Sequence, residues 1–177
     1  MPMIQVVGVY ESSALPCVIE FDHHIPLTFE TQESIPGARD IQLGNIRTSL
    51  LELVVPQDSM ELKRVVVVAV DHRATRALAG TTEGFRSGLP ILKLGENQNF
   101  AGNMPTVHID MGFAIYEERN FAEIAIGGAA TFDGGMTHGR ISFLTSGDQL
   151  VGMRITQLSD DEAASLSRHL AQIPRQR

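Results

Sequence analysis

Tryptophan is absent from this chain, cysteine occurs once, and only 6% of the residues are aromatic. The single thiol, Cys17, excludes an internal disulfide and any metal site made of cysteines alone. Its neighbours Pro16, Val18 and Ile19 suit a buried structural thiol, and a chain without disulfides is expected in a reducing, cytoplasmic setting. Positive charge is also scarce. Fourteen Lys and Arg stand against 21 Asp and Glu, a net charge of −7, and the basic residues are scattered. Without a basic stripe, and without tryptophan for base stacking, neither DNA nor RNA is expected as the main partner. No apolar run approaches the ~20 residues that cross a bilayer as a helix, so no membrane partner is expected. Met1-Pro-Met-Ile-Gln carries no basic segment ahead of an apolar one, so no secretory signal is expected. His-Glu-x-x-His, Cys-x-x-Cys and Gly-x-Ser-x-Gly are all missing, which removes common metalloprotease, redox and hydrolase signatures.

What remains is the composition of an ordinary globular protein, 43% apolar and 20% charged over 177 residues. That length suits one core and one domain spanning residues 1–177. No repeat with a period of 20–50 residues and no low-complexity linker divides it.

Strand-like runs dominate. Ile4–Tyr10, Cys17–Phe21 and Leu27–Thr31 are separated by Ser12-Ser13 and by the corner from Asp22 to Pro26. Ile41–Val55 is too long for one strand and is expected as two segments, with Gly44 marking a bulge. Val65–Val70 holds five β-branched residues in six, which disfavours helix and suits a pleated surface. Apolar on both faces, it is expected to be central, with Val66 and Val68 fully buried. Residues 71–79 could form a short helix or an irregular loop. Thr106–Tyr116 and Phe121–Ile126 are expected as strands across the charged tip Glu117-Glu-Arg-Asn120. The polar stretch from Glu96 to Pro105 reads as a mobile loop, and the glycines at 127, 128, 134 and 135 as punctuation of a connection.

The end of the chain is the most legible part. Arg140–Thr145 and Gln149–Thr156 form two strands across the turn Ser146-Gly147-Asp148. Ser159-Asp-Asp-Glu162 is a capping box: the Ser side chain accepts from the Glu162 amide, and the Glu side chain accepts from the Ser amide. Ala163, Leu166, Leu170 and Ile173 then recur at three- and four-residue spacing, one apolar stripe of a helix. Many strands with one helix, and no crossover helices to link parallel strands, give a mainly β (α+β) class. The expected architecture is an antiparallel β-sandwich or partly open barrel with a C-terminal helix. The tail Arg175 and Arg177 is expected to fray.

Three acid–imidazole clusters carry potential chemistry: Asp22-His23-His24, Asp71-His72 and His108-Ile-Asp110. A carboxylate beside an imidazole orients it and raises its basicity. Turn chemistry accounts for the first cluster, and the exit of a buried strand into water accounts for the second. His108 and Asp110 are two apart, so on one strand they share a face and could meet one ion. The pair resembles the start of the His-x-Asp…His triad of non-haem iron(II) oxygenases. The third ligand would be His138 or His169, one in a glycine-rich connection and the other on the helix. The glycines between 127 and 139 precede strand-like residues rather than a helix, so they do not make a phosphate-cradling loop.

The segment His138-Gly-Arg-Ile-Ser-Phe…Val151-Gly-Met-Arg-Ile-Thr-Gln-Leu-Ser-Asp-Asp-Glu…Leu170 resembles the end of a PilZ domain. In that family the last strands of a small β-barrel lead through a Leu-Ser turn into a helix. The resemblance covers about a fifth of the chain. It implies regulation by cyclic di-GMP, or a protein-binding role without nucleotide. The family's Arg-x-x-x-Arg pair and its Asp/Asn-x-Ser-x-x-Gly are not matched. Arg73-Ala-Thr-Arg76 has one residue fewer between its arginines, and Asp110-Met-Gly112 lacks the serine.

The chain therefore reads as a non-catalytic, β-rich cytoplasmic module that binds a protein partner or a small ligand and could form a homo-oligomer. His108, Asp110, His72 and Arg73 are its candidate ligand-binding residues, with no cofactor and no metal expected. The alternative is a small metal-dependent enzyme using His108 and Asp110.

Overall fold

Short runs of β-branched and aliphatic residues, each ended by a turn, fold here as two facing sheets. The structure is a computed structural model that describes residues 3–11, 16–96 and 98–174. The expected Ser12-Ser13 break and the Arg175/Arg177 tail lie outside the described residues. The first half of the chain runs β1 (Ile4–Tyr10), β2 (Cys17–Glu20), β3 (Leu27–Thr31), β4 (Arg39–Leu43), β5 (Leu50–Val55), β6 (Arg64–Ala69) and β7 (Arg86–Ser87). The second runs β8 (Leu89–Leu94), β9 (Thr106–Ile109), β10 (Phe113–Glu117), β11 (Phe121–Ile126), β12 (Gly134–His138), β13 (Ile141–Ser146) and β14 (Gln149–Thr156), followed by helix α1 (Asp160–Ala171).

One sheet has the order β2-β3-β6-β5-β4-β9. The other, larger sheet has the order β10-β11-β14-β13-β12-β7, with β1 joining β14 and pairing β8, and it curls into a half-barrel. Neighbours pair antiparallel except β4 with β9 and β12 with β7, two short parallel pairs that end their sheets. No helix among the described residues is long and apolar enough to cross a membrane.

The main core fills the space between the sheets. Phe29 on β3 meets Phe143 on β13 edge to face, 5.9 Å between ring centres, a favoured aromatic arrangement. Ile41, Leu51, Leu53, Val65 and Val67 from the smaller sheet are fully buried against Ile115, Ile124, Ile141 and Met153 from the larger.

Helix α1 starts at the expected capping box, with both reciprocal hydrogen bonds between Ser159 and Glu162 formed. Glu162 also takes a two-pronged ion pair from Arg140, which ties the first turn to the turn between β12 and β13. Leu166 and Leu170 are buried, as their spacing requires. The helix bridges the two sheets: Ser165 and His169 bond the carbonyls of Phe21 and Asp22, while Ser167 bonds Glu117 at the end of β10.

Four expectations are corrected. Strand β6 is central, but Val65 and Val67 are the buried pair (1% and 0% exposed), while Val66 and Val68 are half-buried. Alternation along a strand sends every second residue to the outer face, where Val68 borders a hollow beside the end of α1. The stretch from Thr106 to Tyr116 is two strands, since Asp110-Met111-Gly112 carries the chain from the smaller sheet to the larger. Gly134 and Gly135, read as punctuation, are the first two residues of strand β12. Gly44 opens a hairpin loop rather than a bulge. There Asn45 Oδ1 accepts from the amides of Arg47, Thr48 and Ser49, and the loop separates the two expected strands.

Candidate functional site

The segment after β6 neither forms a helix nor runs loose. Residues 72–74 lie along the open edge of β10, with Ile115 N donating to His72 O at 3.1 Å and Ala74 N to Ile115 O at 2.9 Å. Five residues later the chain is stitched again, Ala79 N donating to Ala130 O and Phe132 N to Ala79 O, both at 3.0 Å. Thr75-Arg76-Ala77 is therefore an arch with two fixed feet.

The second foot rests on a buried ion pair. Glu123 on β11 and Arg154 on β14 are direct cross-strand partners on the outer face of the larger sheet. Arg154 Nε donates to Glu123 Oε2 at 2.7 Å, and the Glu123 side chain is completely buried. Both charges also hold the covering loop. Glu123 accepts the Leu78 amide, and Arg154 donates to the Leu78 carbonyl at 3.0 Å. The guanidinium lies over the rings of Phe121 and Phe132. Leu78 packs with Phe132, Leu144 and Val151 in a second, smaller apolar cluster. Gly152 allows this approach, because a Cβ there would stand 2.7 Å from Leu78 Cδ1 and 2.5 Å from Ile124 O.

Beside the arch is a hollow of about 470 Å³, bounded by His72, Arg73 and Arg76 and floored by Phe113, Ala125 and Gly128. A second hollow of about 570 Å³ adjoins it, reaching Asp110, Thr131 and Gln149. Gly112, Gly128, Ala129 and Ala130 line both, so the two adjoin across a wall of small residues and are together called the cleft. These volumes are ordinary for a small-molecule site. A third hollow, about 630 Å³, lies between Val68 on the smaller sheet and the end of α1. It is larger, and two of its polar side chains are engaged within the protein: Asp71 with Thr48, Asn45 and His72, and His169 with the Asp22 carbonyl.

The expected site residues divide around the cleft. His72 and Arg73 border the smaller hollow and Asp110 the larger, whereas His108 borders neither. His108 sits on the outermost strand of its sheet, its Nε2 2.7 Å from Gly44 O. Strand β9 ends before Asp110, so the two side chains do not share a strand face. His138 is packed edge-on against Phe29 in the main core, and His169 is held on the helix. Among the described residues no three His, Cys, Asp or Glu side chains converge. Asp22-His23-His24 is a turn in which Asp22 Oδ1 accepts the His24 amide at 2.7 Å.

His72 is the oriented member of the set. Its Nδ1 is 2.6 Å from Asp71 Oδ1. Burial works against the Asp71 charge, but hydrogen bonds from Thr48 and His72 hold the carboxyl below its ordinary value. An ionised carboxylate only accepts, so Nδ1 carries the proton and Nε2 is left for a ligand. Arg73 reaches Glu117 with one nitrogen at 3.2 Å. No hydrogen bond or ion pair to a described residue engages Arg76.

Sequence reasoning missed Arg76, Gly112 and the Glu123–Arg154 pair. A signal for the pair was present: one acid and one base, each in the middle of an otherwise apolar strand. Two lone charges of opposite sign on strands that alternate inward and outward must face the same way to be tolerated.

No protein-family model matches the chain, and no curated protein sequence matches it.

Proposed function

We propose that the protein is a non-catalytic small-ligand-binding module, with its ligand seated in the cleft beside the arch of residues 75–77. One observation carries the reading: a cleft of two adjoining hollows, floored by Gly112, Gly128 and alanines, beside a loop pinned at both ends. Small residues leave room for a ligand against the backbone. A fixed loop lets its side chains bind without a large ordering cost. Among the described residues the side-chain hydrogen bond of His72 goes to Asp71 and to no hydroxyl or thiol, so it is not paired with a nucleophile. The single, half-buried Cys17, whose thiol is pushed up by burial, fits a reducing, cytoplasmic setting.

The test is a fragment screen by amide NMR. Ligands should shift Gly112, Gly127, Gly128 and Ala129 together with Thr75 and Arg76. Hits confined to the third hollow, between Val68 and the helix end, would move the site there and end this reading.

A further inference from the structure

The smaller hollow of the cleft differs in charge from the molecule as a whole. The chain carries 21 acids and 14 Lys and Arg, yet the residues bordering this hollow include Arg73, Arg76 and His72 and no Asp or Glu. Arg76 is exposed and free of protein partners among the described residues. Arg73 spends one nitrogen on Glu117, leaving the rest of its fork. Both arginines stand on a segment whose neighbours are tied to β10 on one side and to Glu123, Arg154 and Ala130 on the other. On a molecule of net charge −7, an acid-free rim bordered by two arginines is a local positive patch.

We infer that the cleft takes a small organic oxyanion, its carboxylate or phosphate group held by Arg76 and Arg73 and its uncharged body lying on the glycine and alanine floor. The inference rests on the binding reading above and names its ligand class. Carboxylate and phosphate share the planar or tetrahedral oxygen edge that a guanidinium grips with paired hydrogen bonds. His72, whose Nδ1 is engaged by Asp71, also borders this hollow. The larger hollow, bordered by Asp110 rather than by a base, suits the neutral or donor-bearing end of the ligand.

Three probes with the same ring separate the possibilities: phenyl phosphate, benzoate and benzyl alcohol, each titrated into the full chain and followed by amide NMR. Both anions should shift Gly112, Gly128 and Arg76 and bind about tenfold or more tightly than the alcohol. Arg76→Gln should weaken anion binding about five- to tenfold and Arg73→Gln somewhat less, since Arg73 already shares its charge with Glu117. Arg86→Gln, which removes an exposed arginine paired with Glu11 away from the cleft, should change nothing. Preference for phenyl phosphate over benzoate identifies a phosphate ligand, and the reverse a carboxylate. Equal binding of benzyl alcohol in the hollow, or anion binding indifferent to Arg76→Gln, overturns the oxyanion assignment while the cleft stays a binding site. Absence of shifts in the cleft with all three probes and with neutral fragments overturns both.

Discussion

The protein has two apolar layers on the two faces of its larger sheet, and they are held in different ways. Between the sheets, Phe29, Phe143 and the aliphatic residues around them form a broad interior in which alternation along the strands settles which side chains point inward. On the opposite face, Leu78, Phe132, Leu144 and Val151 make a small cluster. It is held down by Glu123 and Arg154, whose charges grip both backbone polar groups of Leu78. The first layer is held mainly by apolar residues of suitable volume, with His138 packed among them against Phe29. The second needs one ion pair with specific geometry, because a charge buried there without its partner would be strongly unfavourable. The candidate ligand cleft belongs to the second layer. The loop leaves Arg73 and Arg76 exposed and is fixed by one buried side chain, Leu78, together with hydrogen bonds to its backbone.

The comparison can be broken by substitutions in each layer. Phe143→Ala should cost about 3–5 kcal/mol through lost burial and a residual cavity, lowering the urea midpoint of the whole chain. Glu123→Ala leaves Arg154 without its carboxylate and the Leu78 amide without its acceptor, and should cost about 3 kcal/mol. Its signature differs from that of Phe143→Ala: hydrogen exchange should accelerate first in residues 72–80, ahead of the strands. Equal loss of protection throughout the molecule in both variants would show one cooperative layer rather than two.

The C-terminal helix sharpens the contrast, because its attachment is also ionic but lies nearer water. The hydrogen bond from Arg140 lowers the Glu162 pKa, with the Ser159 amide adding to it and burial opposing. A carboxyl with a lowered folded-state pKa stabilises fully above its unfolded value, about 4.3. That contribution is lost as pH falls through the folded value. The urea midpoint of the wild type should therefore fall more steeply below roughly pH 4.3 than that of Arg140→Gln. Parallel curves would remove the ion pair from the account. Ser159→Ala should cost about 1 kcal/mol through loss of the N-cap, read as a small drop in midpoint with the fold intact.

These differences also explain what the sequence revealed. The capping box, the apolar stripe of α1 and the strand pair β13–β14 were legible because each is local: spacing and turn residues specify them within a few positions. The mainly β class followed from the same runs. Val66 and Val68 were misplaced because a run of valines has no polar alternation to say which set faces inward. The break at Asp110-Met111-Gly112 was missed because changing sheets there leaves the apolar pattern of 106–116 uninterrupted. His72 and Arg73 were singled out and do border the cleft, yet what places them there is long-range. It depends on the edge of β10, on Ala130, and on two charges that are 31 positions apart in the chain.

The central claim is that the cleft beside the arch is where this protein binds its ligand, and Gly112 offers the most direct test. It lines both hollows, its backbone is not in the left-handed region, and a Cβ there meets nothing within 4 Å. Gly112→Leu should therefore place a side chain in the cleft with little disturbance of the fold. The measurement is phenyl phosphate binding to the wild type and to Gly112→Leu, alongside their thermal midpoints. The account predicts an unchanged cooperative transition and loss of binding by about tenfold or more. Undiminished binding by a folded Gly112→Leu protein would contradict it.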